Sequence, residues 1–193
     1  MALPTINRRE AIQRMAWLMG GTMVGPRLLS AALAAEPAHG DSGASADELA
    51  LLDEIGDTII PPTDVPGAKA VHIGAFITMM LRDCYDAADA AAVAGGVREL
   101  AQNFRVRYGH EFVGAPAAER TAYLNELDAE QKAASRNRKS DAAAPYFRVL
   151  KELTVIGYFS SEIGATQALR FVEVPGRFDG SAPYQKGDRA WFS

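Results

Sequence analysis

Apolar residues that recur at three- and four-residue steps, segment after segment, constrain this chain more than any other feature of its sequence. In ADELALLDEIGDTIIPPTD the spacing of Leu49, Leu52, Ile55 and Ile59 predicts a helix beginning near Asp47. Asp47 and Glu48 stand at its start, where the helix dipole favours acids, and Pro61-Pro62 end it. PPTDVPGAKA is then a stiff turn, and a second helix runs from Ala70 to about Ala87 with Ile73, Phe76, Ile77, Met80, Leu81 and Tyr85 on one wide face. Val97, Leu100, Phe104 and Tyr108 mark a third stripe, preceded by Gly95-Gly96, which is either a turn or a point of close helix approach.

A fourth helix, AAERTAYLNELDAEQKAAS, turns Tyr123, Leu124 and Leu127 inward. RNRKSDAAAPY is a polar loop, and Pro145 opens PYFRVLKELTVIGYF at a position that tolerates proline. Phe147, Leu150, Thr154, Ile156, Gly157 and Tyr158 leave that helix few faces for water, so it should be the most central one. After Glu162 the periodicity is lost, glycines and prolines multiply, and a small hairpin within ALRFVEV is the most regular structure on offer. The fold class expected is therefore mainly α: a single helical domain of about five helices over residues 47–163, with a long irregular C-terminal tail over 164–193.

The first 34 residues do not fit that domain. Arg8-Arg9 and Arg14 precede a moderately apolar stretch broken by Gly20, Gly21, Gly25, Pro26 and Arg27, too interrupted to span a bilayer. Ala32-Leu33-Ala34 supplies small residues of the kind a signal peptidase reads, and residues 35–46 follow as a flexible linker. NRREAI resembles the bacterial twin-arginine export signal, with Asn7 in place of the usual Ser or Thr. That resemblance implies export to the periplasm in the folded state, with a partner attached or a cofactor already inserted.

Charge and cysteine content exclude several classes. Without residues 1–34 the chain loses four arginines and one glutamate, leaving 16 basic against 23 acidic residues and a formal charge of −7. A body that acidic has no general affinity for phosphate backbones, so no nucleic-acid partner is expected. The basic run Lys132–Lys139, with Arg136 and Arg138, reads as a solvated helix end. The single cysteine, Cys84, rules out an intrachain disulfide and reads as a small buried or half-buried side chain.

No residue pattern announces catalysis. His39, His72 and His110 are scattered, so no metal ligand set is assembled locally. Ser160 and Ser161 follow a helix rather than a strand, unlike a nucleophile elbow, and suit turn hydrogen bonding. Asp53 and Asp57 lie one turn apart beside Glu54 and read as a wet acidic face. No glycine-rich loop follows a strand, so neither flavin nor nicotinamide is expected in this chain. The expected tally is no catalytic, cofactor-binding or metal-binding residue.

DTIIPPTDVPGAKAVHIGAFI and LTVIGYFSSEIGATQALRFVEVPGRFDG resemble the gluconate 2-dehydrogenase subunit 3 family, the small subunits of bacterial flavin-dependent sugar and polyol dehydrogenases. Its recurring positions match here as Pro61, Gly67, Ala68, Gly157, Tyr158, Ser161, Glu162, Gly164, Pro175, Gly176 and Asp179, while Phe159 and Ser160 depart mildly from it. The resemblance implies a noncatalytic partner of a large glucose–methanol–choline type flavoprotein, which holds the FAD. A multi-haem cytochrome c or another acceptor would take the electrons, and the complex could sit at the membrane. It also implies that the small subunit supports folding and export of the large one through the twin-arginine translocase. Tyr158, Arg170, Phe171, Arg177, Phe178, Tyr184 and Trp191 are the candidate interface residues, since aromatics and arginines anchor protein contacts most often. Two alternatives stay open at this point, a free-standing periplasmic chaperone and an enzyme with an unrecognised site.

Overall fold

Helix α1, Ala46–Ile59, starts on a reciprocal cap: the Ser45 hydroxyl accepts the Glu48 N–H at 3.2 Å, and the Glu48 carboxylate accepts the Ser45 N–H at 2.9 Å. Those bonds hold the Glu48 carboxyl below its ordinary pKa. The structure, a computed structural model, describes residues 44–136, 144–174, 176 and 180–192. The predicted export signal, His39, nearly all of the linker, and Arg138-Lys139 lie outside the described residues. After α1 come a short 3-10 turn, Ala68–Val71, then α2, Ile73–Cys84; α3, Ala87–Tyr108; α4, Ala117–Arg136; and α5, Tyr146–Ser160. A single π-turn, Gly164–Ala168, leads into the tail. Among the described residues, the only β pairing is an isolated parallel bridge between Arg170 and Trp191.

The mainly helical, single-domain expectation is met, with local differences that have physical causes. The second helix starts at Ile73 rather than Ala70, because His72 takes a left-handed backbone (φ 52°) between the 3-10 turn and α2. It ends at Cys84, where Tyr85 becomes extended and the Asp86 carboxylate caps α3 through the Asp89 N–H at 2.9 Å. Cys84 is exposed rather than buried, its sulfur 3.9 Å from that of Met80 in the last turn of α2. The anticipated hairpin within ALRFVEV does not form: Arg170 makes its isolated bridge to the distant Trp191 instead.

Gly95-Gly96 turns out to be the interior of one 22-residue helix, α3. The two glycines have opposite surroundings. A methyl group at Gly96 would strike the Tyr146 ring at the start of α5, whereas one at Gly95 meets nothing within 4 Å. Gly96→Ala is thus expected to lower stability, by about 1–3 kcal/mol. Gly95→Ala should raise it by about 0.5–1 kcal/mol, since alanine stiffens the unfolded chain and favours helix. Denaturant unfolding of both variants checks the pair, and a shift of the same sign in both would contradict this packing.

The core lies around α5, which packs on every other helix. Phe147, Leu150, Leu153, Thr154, Gly157 and Tyr158 are buried, and the Thr154 hydroxyl is satisfied by the Leu150 carbonyl at 2.8 Å. Ile156, placed inward by its spacing, is instead 53% exposed, so α5 is central without being enclosed. At the far end, Phe104 stacks edge-on against Phe112 and Tyr123, with ring centroids 4.9 and 5.4 Å away, joining α3, α4 and their connection. Lys151 of α5 reaches Asp128 of α4 at 2.5 Å, and together with Lys132 it holds the Asp128 carboxyl far below the usual range.

Candidate partner interface

The two stretches on which the family resemblance rests are distant in sequence and adjacent in space. The Tyr158 hydroxyl, near the end of α5, donates to the Pro66 carbonyl at 2.7 Å. Burial raises the pKa of that hydroxyl. The proline-rich loop is closed by a hydrogen bond from the Ala68 N–H to the Ile60 carbonyl at 3.0 Å, and Tyr158 fastens the closed loop to the central helix. This is the reason an aromatic residue with a polar tip suits position 158.

Acidic residues of α1 fasten the same loop from below. Asp57 accepts the Lys69 N–H at 3.3 Å, and Asp53 accepts the Gly74 N–H at 2.7 Å, at the positive end of α2. Partial burial nevertheless raises the Asp53 pKa, with the bond from Gly74 opposing the shift. Glu54 is 7% exposed and joins Lys69, at 2.6 Å, and the Arg120 guanidinium. The acidic cluster read from sequence as a wet face is in fact a set of clamps between α1, the loop and α4. Each carboxylate is spent on the fold.

The serines behave as their position suggested. The Ser161 hydroxyl donates to the Tyr158 carbonyl at 2.6 Å and accepts the Gly164 N–H at 3.1 Å, so one side chain closes α5 and opens the π-turn. The Ser160 hydroxyl donates to the Ile156 carbonyl at 2.7 Å. Among the described residues, neither serine is paired with a base. His110 meets Glu119 at 3.0 Å, with its ring 5.8 Å from that of Phe104. Among the described residues, no group of three or more His, Cys, Asp or Glu side chains could hold a metal ion, and no helix is long and apolar enough to cross a membrane.

Several large apolar side chains face solvent. Beyond the π-turn, Arg170 turns back on its own tail: it meets Asp188 at 3.1 Å and stacks over the Trp191 ring at 5.3 Å. Arg189 reaches Asp64 in the proline-rich loop at 3.4 Å, so the tail spans both resembling segments. Phe171, 5.8 Å from Phe192, is exposed, as are Tyr184 (76%) and Trp191 (57%). Of the candidate interface residues, then, Phe171, Tyr184 and Trp191 present apolar area to solvent. Tyr158 is placed inside the domain, 3% exposed, and Arg170 has its carboxylate within the chain. Arg177 and Phe178 lie outside the described residues, as do Pro175 and Asp179.

Two further apolar surfaces escaped the sequence reading. A cleft of ≈ 290 Å³ opens between α1, α2 and α3, floored by Leu51, Leu52, Leu81, Ala94 and Val97. Met79 of α2 and Val155 and Ile156 of α5 also stand exposed. Periodicity could not show these, because apolar residues on an already broad apolar helix look inward by default. Adjacency does not separate them either: Val155-Ile156 is exposed, whereas the neighbouring pairs Val149-Leu150 and Leu153-Thr154 of the same helix are both buried.

Searches of curated proteins and of solved structures return no match. A family model does match, that of gluconate 2-dehydrogenase subunit 3, over residues 46–176, from the first residue of α1 into the tail. The matched span takes in the proline-rich loop, α5, the π-turn and the bond that ties them, and by that match the chain belongs to the gluconate 2-dehydrogenase subunit 3 family.

Proposed function

We propose that this chain is the noncatalytic small subunit of a periplasmic FAD-dependent sugar dehydrogenase, supporting the folding and export of the large flavoprotein subunit. Membership of the family carries the coarser part, a small subunit of a dehydrogenase complex. The finer part draws support from how the side chains are used. The hydroxyls and carboxylates that could have served catalysis stabilise helix ends and a loop, while aromatic and aliphatic side chains are left facing water. Solvent-facing apolar area of that kind marks surfaces that another macromolecule covers. The FAD, and any electron transfer to a cytochrome c or another acceptor, belongs on this reading to the partner proteins. The arginine pair Arg8-Arg9 supplies the route, by which the folded pair leaves through the twin-arginine translocase.

The test is recovery of the tagged full chain from periplasm of cells that also express the large subunit. A flavin absorbance spectrum in the eluate, at a fixed ratio of the two polypeptides, is the expected result. Changing Arg8-Arg9 to lysines should strand both proteins in the cytoplasm. Sugar oxidation by the isolated chain, or flavoprotein exported at wild-type level without it, would overturn the reading; transient rather than stoichiometric association would leave a chaperone.

A further inference from the structure

The cleft between α1, α2 and α3 owes its space to small side chains on one wall. Leu51 and Leu52 of α1 and Leu81 of α2 line it, and α3 answers them with Ala90 and Ala94, one turn apart, before Val97. Neither alanine is long enough to interdigitate with the leucines, so ≈ 290 Å³ stays open where a larger residue would have closed the core. Leu52 and Val97, each 7% exposed, form the floor. Ligand clefts run from roughly 300 to 1,000 Å³, so this one suits a slender chain rather than a ring system.

Polar side chains also line the cleft, and all but one are already engaged. The Thr78 hydroxyl donates to the Gly74 carbonyl at 2.8 Å, and the Arg82 guanidinium holds Asp83 through bonds of 2.7 and 2.9 Å. The Glu48 carboxylate accepts the Ser45 N–H at 2.9 Å and the Ser45 hydroxyl at 3.0 Å, and it stands at the amino end of α1, whose dipole offsets its charge. Arg98 is different. It is exposed on α3, one turn beyond Ala94, and among the described residues its guanidinium enters no hydrogen bond or ion pair, feeling Glu48 only through its field. An apolar trough with one uncommitted cation at its edge selects a molecule of the converse layout, an aliphatic chain that ends in an anion.

We propose that this cleft binds a medium-chain aliphatic carboxylate, its chain laid between Leu51, Leu81 and Ala94 and its carboxylate on the Arg98 guanidinium. The guanidinium fork matches a carboxylate through two parallel N–H···O bonds. The chain supplies most of the affinity, because buried methylenes contribute more than an exposed ion pair does. No residue of the proline-rich loop or of the tail lines the cleft, so the site is independent of the small-subunit reading.

The experiment is isothermal titration of monomeric decanoate into the purified full-length chain, with octanoate and decanol as comparison ligands. One saturable site for decanoate is expected. Octanoate, two methylenes shorter, should bind roughly tenfold more weakly. Decanol, and decanoate on Arg98→Gln, should each lose about fivefold, the worth of an exposed ion pair. Ala94→Leu fills the trough from α3 with another helix-favouring residue, and should weaken decanoate by at least ~tenfold. Circular dichroism melts near the wild-type value attribute that loss to the cleft; should Ala94→Leu melt lower, Ala90→Leu, one turn earlier on the same face, replaces it. Non-saturable uptake, or equal affinity in wild type, Arg98→Gln and Ala94→Leu, would show an adventitious detergent-like contact and overturn the proposal. Decanol as tight as decanoate would remove the anion and overturn it as well. So would a wild-type chain that binds no decanoate, and if Ala94→Leu then weakens affinity for the flavoprotein subunit, the cleft takes a partner side chain instead.

Discussion

Replacing Glu54 by alanine is expected to lower the melting temperature by about 10–20 °C, a loss as large as that of truncating a core aromatic. Glu54 projects from the buried side of α1 and is 7% exposed. Lys69 reaches one of its oxygens at 2.6 Å and the Arg120 guanidinium reaches the other. The two cations differ in kind. The Lys69 side chain is 55% exposed, so water screens it and its ion pair contributes little. That of Arg120 is 12% exposed, and burial already depresses its pKa.

Removing the carboxylate therefore leaves the buried Arg120 guanidinium between α4 and α1 without the Glu54 counter-charge, a loss of about 3–5 kcal/mol. Glu54→Gln should fall between, because the amide keeps the shape and an acceptor while giving up the charge. Lys69→Met should change the melting temperature by no more than about 3 °C. Replacing both buried members, Glu54→Leu with Arg120→Met, should recover most of what Glu54→Ala loses, since neither charge is then desolvated alone. Differential scanning calorimetry at neutral pH reads all four. A Glu54→Ala protein that melts within about 3 °C of the wild type would mean that Arg120 escapes to water and that the triad does not hold α4.

That triad shows where sequence reading stops. The five helices were legible because each carries a stripe of large apolar residues at helical spacing, and Pro61-Pro62 and Pro145 punctuate them. The polar contacts were not, because a carboxylate on a helix looks the same whether it faces water or a guanidinium 66 residues away, as Glu54 and Arg120 do. Ser45-x-x-Glu48 was a local signal that could have been read as a cap, and the two bonds between those residues are present. Gly95-Gly96 could not be resolved, since the decision depends on Tyr146, which the sequence places no nearer than any other aromatic. For the candidate interface, aromatic type could not sort the residues by exposure: Phe171, Tyr184 and Trp191 face solvent, whereas Tyr158 is buried with its hydroxyl on the Pro66 carbonyl. Residue type reports what a side chain could do; burial decides what is left over for a partner.

Gly164→Ala is the second substitution expected to have a large effect, about 2–3 kcal/mol or a fall of about 5–10 °C. Gly164 opens the π-turn directly beneath the end of α5. A methyl group there would collide with the Tyr158 carbonyl oxygen and come within 2.8 Å of the Phe159 Cα. These obstacles are backbone, and the backbone is already committed. The same carbonyl accepts the Ser161 N–H at 3.1 Å and the Ser161 hydroxyl at 2.6 Å, while the Gly164 N–H returns to that hydroxyl. Relief of the clash requires the π-turn to move away from α5, breaking this set of bonds together. Gly157→Ala offers the contrast: its methyl group would meet the ends of the Ile73 and Phe76 side chains, which can give by small shifts where backbone cannot, so its expected loss is smaller, about 1–2 kcal/mol. The order of the two melting temperatures is therefore a direct reading of backbone against side-chain obstruction. The consequence extends to the tail, because Arg170 and its contacts with Asp188 and Trp191 hang from the π-turn. Limited proteolysis of Gly164→Ala should cut between the π-turn and Trp191 faster than in the wild type, while the helices resist. Equal melting temperatures for the two alanine variants, with unchanged tail cleavage, would show that the exit of α5 is pliant and that the tail is not held by it.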